Sequence, residues 1–160
     1  GNELMRVRGG HSRKTGEQTV IFLNSIIACK GKIYTKGRLD PPLTNKALFR
    51  RDHNTCLYCG NHFQDSQLSR DHVYPISRGG QDSWTNVVTA CKRCNARKGN
   101  SLTKECNLEL LALPYCPNHA EYLALSHSGR ILGDQMAFLR KQFSANSRSF
   151  WKDEDETVPS

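Results

Sequence analysis

The chain has 160 residues, room for one domain or one small domain with arms, and too few for an enzyme with a separate cofactor fold. Lysine and arginine number 23 against 15 acidic residues, a net charge of +8, while apolar residues make up only 37%. No apolar run approaches the ~18 residues of a helical membrane span, and the polar, basic start lacks a stretch of signal-peptide type. These features predict a soluble, cytoplasmic protein with a small core, no membrane partner, and a charge suited to an anionic polymer.

Residues 1–18 are rich in Gly, Arg, Lys and Ser and read as a flexible basic arm. Thr19 to Ile27 (TVIFLNSII) is β-branched and apolar, which predicts a strand, with a second short one at Lys32 to Lys36. Asp40-Pro41-Pro42 breaks the chain, and Thr44 can cap a helix through Lys46, Leu48 and Arg51. Asp71 to Ile76 (DHVYPI) predicts a strand ended by Gly79-Gly80, and Pro75 makes it short or an edge. A loop through Asp82 and Trp84 leads to a returning strand, Asn86 to Ala90 (NVVTA), and a helix over Lys92 to Lys98. Thr103 to Leu111 predicts a helix interrupted by Pro114 and Pro117, and Asn118 to Leu125 fits helix or strand. Arg130 to Phe143 spaces its apolar residues mainly along one helical face. From Ser144 onward the chain is polar and expected to be disordered, with an acidic run at Asp153 to Glu156. The expected organisation is an arm (1–18), one α+β domain (19–143) and an acidic tail (144–160).

The cysteines are the most specific signal. There are seven, an odd count with no signal peptide, which argues against a disulfide framework. Cys56 and Cys59 form one CxxC knuckle and Cys91 and Cys94 another, the pattern of a tetrahedral tetrathiolate zinc site. The 31 residues from Gly60 to Ala90 lie between the knuckles, more than in common two-knuckle fingers. His53 and His62 are near enough to the first knuckle to be substitute ligands. Cys29, Cys106 and Cys116 read as ordinary thiols.

Charge is uneven. Residues 1–54 carry 11 basic and 4 acidic side chains, residues 55–105 carry 7 and 4, and residues 106–160 carry 5 and 7. A basic front and a mildly acidic back fit a molecule with one face turned to phosphate. Arg93 and Arg97 share a helical face, and with Lys98 they are the expected contacts to phosphate groups; Arg6, Arg8, Arg13 and Lys14 offer a second basic run.

Asp71, His72, Asn86 and Asn95 fall within or beside the clamp. On a regular strand Asp71 and His72 point to opposite faces, so a shared site calls for a twist or bend. Asn95 follows Cys94 directly, so the zinc fixes where its amide points. Together they can set a carboxylate, an amide oxygen and an imidazole around one phosphate.

The segments CLYCG, RDHVYPISRGG, WTNVVTACKRCN and ARKG together resemble the HNH endonucleases, the ββα-metal nucleases with a four-cysteine zinc site. The three signature positions here are His72, Asn86 and Asn95, an H-N-N variant, with the motif core at 56–99. The flanks are similar to a bacterial subgroup of the family. The resemblance implies a ββα-metal core with a short N-terminal β region and C-terminal helices. It implies a Mg²⁺-dependent DNA endonuclease in which Asp71 and the Asn95 side-chain oxygen hold the catalytic ion. His72 would be the general base, Asn86 would hold the loop that carries it, and zinc would be structural. One such site cuts one strand, so a homodimer is one route to cutting both. The alternatives from other classes are a zinc-stapled module that binds nucleic acid without cutting it, and a zinc-folded docking protein.

Overall fold

The computed structural model describes residues 3–24, 40–127 and 129–148. The strand expected at Lys32 to Lys36, Cys29 and the acidic run lie outside the described residues. Residues expected to form a flexible arm are instead strand β1 (Glu3–His11), paired antiparallel with β2 (Gln18–Asn24). The physical reason is that the β-branched and aromatic run Val20 to Phe22 pairs across the ladder: Arg6 faces Phe22, Val7 faces Ile21 and Arg8 faces Val20. The Arg6 guanidinium lies 4.9 Å from the centre of the Phe22 ring. Gly16, at φ 70°, closes the turn, where its N–H reaches the Ser12 carbonyl at 2.9 Å.

Helix α1 (Asn45–Arg51) begins where expected, with Thr44 Oγ1 accepting the Ala47 N–H at 3.2 Å. It buries Ala47, Leu48 and Phe49 against Leu68, Trp84 and Val87. Strands β3 (Leu68–His72) and β4 (Val87–Cys91) form an antiparallel ladder in which Asp71 faces Val88 and His72 faces Val87. Helix α2 (Lys92–Lys98) follows β4 without a break. β3, β4 and α2 are thus a ββα core, and the chain is of the α+β class.

β3 starts earlier than predicted and stops at His72. The Asn86 side chain replaces a strand partner there: its Oδ1 accepts the Tyr74 N–H at 2.9 Å and its Nδ2 donates to the Tyr74 carbonyl at 3.0 Å. The helix expected at Thr103 to Leu111 does not form. One turn is made, Asn107 takes φ 51°, and Leu108, Leu110 and Ala112 then pack on the cysteine knuckles with a period of two. The Leu111 N–H donates to the Leu57 carbonyl at 3.0 Å, so tertiary packing outweighs helix propensity here.

The ambiguous segment is helix α3 (His119–His127), which packs on α1, and the last predicted helix is α4 (Gly133–Arg140). Residues 144–148, expected to lie in a disordered tail, dock on the core: Arg148 donates to Asp52 Oδ1 at 3.0 Å and to the Leu113 carbonyl. Asp52 is buried, and Arg51 answers it through two parallel N–H bonds of 2.9 and 3.0 Å. The remaining Arg51 donors take the carbonyls of Trp84, Val87 and Tyr115 at 2.8–2.9 Å. A buried charge pair satisfied at this many points ties α1 to the β4 side of the core. No described helix is long and apolar enough to cross a membrane.

Candidate active site and metal clamp

The two CxxC knuckles converge. The Sγ atoms of Cys56, Cys59, Cys91 and Cys94 all lie within 4.8 Å of one another, with three of the residues buried. A tetrahedral tetrathiolate with bonds of about 2.3 Å has edges of about 3.8 Å, so the donors are spaced for one ion. Gly60 at φ 73° and its N–H bond to the Cys56 carbonyl at 2.9 Å shape the first knuckle. The second knuckle is the junction of β4 and α2, where Cys91 Sγ accepts the Cys94 N–H at 3.4 Å and caps the helix.

The thiol chemistry also asks for a cation. Burial and the neighbouring Cys91 and Cys56 sulfurs push the Cys94 thiol well up, and burial raises Cys59. At Cys56 burial acts upward too, but backbone N–H groups led by that of Cys91 bring the thiol below its usual value. The Cys56 thiolate is therefore favoured, and those of Cys59 and Cys94 are resisted until a positive ion neutralises them. His53 and His62 take no part: His53 Nε2 bonds the Arg148 carbonyl at 3.0 Å and His62 Nδ1 the His53 carbonyl at 2.9 Å.

Asp71, His72 and Asn95 line one polar cleft, bounded by Pro75, Ile76 and Gly99. No bend in β3 brings the first two together. Asp71 points inward as a regular strand dictates, and its neighbour turns outward to a half-buried position. The cleft opens at the end of the strand, where both are reached.

Each is held differently. Asp71 Oδ2 accepts the Tyr58 hydroxyl, and Oδ1 accepts Lys98 Nζ at 3.1 Å. Burial and this carboxylate hold the Tyr58 hydroxyl far above its usual value, so it stays a donor. Asn95 Nδ2 donates to Ser69 Oγ at 2.9 Å and to the Arg70 carbonyl at 3.4 Å, which turns its Oδ1 away from both. His72 Nε2 lies 2.8 Å from Asp82 Oδ1. Asn86 stands behind the cleft, pinning Tyr74 and, through a 2.8 Å bond, the Gln81 carbonyl.

One expected site residue is placed elsewhere. Lys98 is 1% exposed, and its ammonium is spent on Asp71 and on the His72 carbonyl at 2.7 Å, so it is not a surface contact for DNA. Its position on the inward face of α2 decides this, and a charge count cannot reveal it. Arg93 and Arg97 are exposed on α2. Arg93 lines a second cleft with Phe63, Ser66 and Gln67, and Arg97 reaches the Cys106 carbonyl at 3.5 Å. Tyr58 and Asp82 join the site without a signal of their own in the sequence. Tyr58 lies inside the first knuckle and Asp82 ten residues beyond His72, and neither spacing announces the contact.

A ββα core closed by four cysteines, with a histidine, a carboxylate and an amide at one cleft, is the ββα arrangement of the HNH fold. Residues 56–111 match the family described as HNH endonuclease. A 53-residue stretch is 36% identical to the CRISPR-associated endonuclease Cas9 of Corynebacterium diphtheriae, over 32% of this chain and 5% of that protein. The Type II-C Cas9 enzyme from Actinomyces naeslundii aligns with a TM-score of 0.32 at 20% identity, over 68% of this chain and 13% of that one. The chain therefore spans only a small part of the length of these relatives.

Proposed function

We propose that this protein is a metal-dependent DNA endonuclease that hydrolyses phosphodiester bonds at the cleft formed by β3 and α2, with zinc in the cysteine clamp as a structural ion. The observation that carries the reading is the meeting of Asp71, His72 and Asn95 at one polar cleft immediately beside the clamp. His72 is the general base: its imidazole takes a proton from water, the water oxygen bonds to phosphorus, and the P–O3′ bond breaks with its electron pair on O3′. Asn86 holds the loop from Tyr74 to Gln81 and thereby the end of the strand that carries His72. Arg93 and Arg97 meet the phosphate backbone, helped by Arg6, Arg8, Arg13 and Lys14 of the hairpin.

Asp71 and Asn95 are the oxygen donors suited to a divalent ion, a hard donor set of the kind Mg²⁺ takes while keeping its own waters. When bound, such an ion supplies charge stabilisation to the phosphate and the leaving oxygen. Lys98 already sits against Asp71, so an ion there shares that carboxylate with an ammonium. The same contact favours the second reading, a zinc-stapled module that binds DNA without cutting it, because it neutralises Asp71 with no ion.

Supercoiled plasmid incubated with the zinc-loaded protein, with and without Mg²⁺, decides between them. Metal-dependent nicking that is lost in His72→Ala and Asp71→Asn supports the nuclease. Binding without nicking under all divalent ions supports the module, and equal nicking by His72→Ala overturns His72 as the base. Asp71→Asn is preferred to Asp71→Ala because it keeps an acceptor for Tyr58.

A further inference from the structure

A carboxylate outside the family signature grips His72. Its Nε2 is 2.8 Å from Asp82 Oδ1, and Asp82 is held in turn by Arg70, whose Nη1 reaches Oδ1 at 2.9 Å and Oδ2 at 2.7 Å. Arg70 is itself anchored: Nε donates to Asn45 Oδ1 at 3.0 Å and Nη2 to the Leu43 carbonyl at 3.2 Å. Arg70 and His72 are two apart on β3 and so lie on one face of the strand, which is why one carboxylate bridges both. The relay runs from the start of α1, through β3, to the loop between β3 and β4, and ends on the imidazole.

The chemistry of the grip fixes more than position. The hydrogen bond from His72, together with Arg70, outweighs burial and lowers the Asp82 carboxyl below its usual range, so it is ionised. An ionised carboxylate only accepts, so the proton in this bond belongs to Nε2. In the neutral ring the lone pair then stands on Nδ1, the nitrogen left for the substrate side.

We propose that Asp82 is the positioning residue of the nuclease: backed by Arg70, it holds the His72 ring in the Nε2–H form and presents Nδ1 as the base. The proposal rests on the reading of His72 as the base. The proton from water goes to Nδ1, the Nε2 proton stays in its bond to Asp82, and the resulting imidazolium faces a fixed negative charge. Asp82 does not line the cleft and acts only through His72.

The test uses the full, zinc-loaded chain with Mg²⁺ and two kinds of readout. In proton NMR, wild type should show a downfield His72 Nε2–H resonance protected from solvent exchange, assigned by its loss in His72→Ala, and Asp82→Ala should abolish it. In single-turnover nicking, Asp82→Ala should lower the rate constant about ten- to hundredfold, a part of the ~10²–10⁴ that a general base contributes. DNA affinity should stay at the wild-type value, and Asp82→Glu should recover part of the rate. The role of Asp82 is overturned if the protected resonance is absent from wild type or persists in Asp82→Ala. It is equally overturned if His72→Ala is inactive while Asp82→Ala keeps the wild-type rate, or if the loss lies in affinity alone. If His72→Ala nicks like wild type, the base reading itself falls and this proposal with it, even where the resonance reports the His72–Asp82 bond.

Discussion

Replacing Lys98 with methionine removes an ammonium and leaves most of the buried stem in place. The side chains of Lys98 and Asp71 are 1% and 5% exposed, so the variant strands a carboxylate with almost no access to water. Breaking one side of a buried pair costs about 3–5 kcal/mol, mostly the penalty of the uncompensated charge. Asp71 keeps its bond from Tyr58, which sets the expected loss near the lower end, about 3 kcal/mol. That is a large share of the ~5–15 kcal/mol by which a domain is stable. Adding Asp71→Asn removes the stranded charge and keeps an acceptor for Tyr58, so the double variant should regain about 2 kcal/mol. Urea unfolding at one fixed free zinc concentration reads both values, because zinc binding is linked to folding. A Lys98→Met variant within about 0.5 kcal/mol of wild type, or a double variant whose loss is the plain sum of the singles, would refute the argument.

The clamp should behave as a folding ligand: Cys91→Ser or a strong chelator should abolish the far-UV CD spectrum of the domain. Structural zinc supplies on the order of 10 kcal/mol, comparable to the whole stability, and a folded, zinc-free variant would contradict the role. Gly80→Ala should destabilise by about 1–3 kcal/mol in the same urea assay, since a Cβ there would collide with the Tyr74 carbonyl oxygen. Wild-type stability in that variant would show the turn to be pliable. Arg93→Ala with Arg97→Ala should flatten the salt dependence of DNA binding by about 0.9 in log–log slope for each phosphate these side chains neutralise. Anisotropy titrations of a short duplex at several salt concentrations measure this, and an unchanged slope would remove α2 from the interface.

Local chemistry makes the sequence legible where the cause is local. The Thr44 cap, the β-branched run Val87 to Thr89 and the two knuckles are written in neighbouring residues, and each is found in the fold. Legibility falls wherever a distant partner decides. Leu108, Leu110 and Ala112 are extended because the knuckles need covering, and the strand leading to Pro75 ends early because an asparagine twelve residues on takes its backbone groups. Lys98 and Arg97 are adjacent and alike in charge, yet one is buried on Asp71 and the other exposed. Helical phase separates them only once the packing face of α2 is known. Asp71, His72 and Asn95 are legible as a set, whereas what grips them, Tyr58, Lys98 and Asp82, emerges only from the fold.

Cys91 has two duties: its sulfur is a corner of the clamp and also the acceptor that starts α2. Four residues along that helix stands Asn95, and three further stands Lys98, which grips Asp71. With an ion bound, the clamp would be a ruler as well as a staple, because the sulfur–ion distance would set where the helix begins and hence how deep the helix carries its amide into the cleft. A larger thiophilic ion such as cadmium would leave the fold closed and lengthen that ruler, so on the proposed nuclease reading its exchange for zinc should be audible in the rate of cutting.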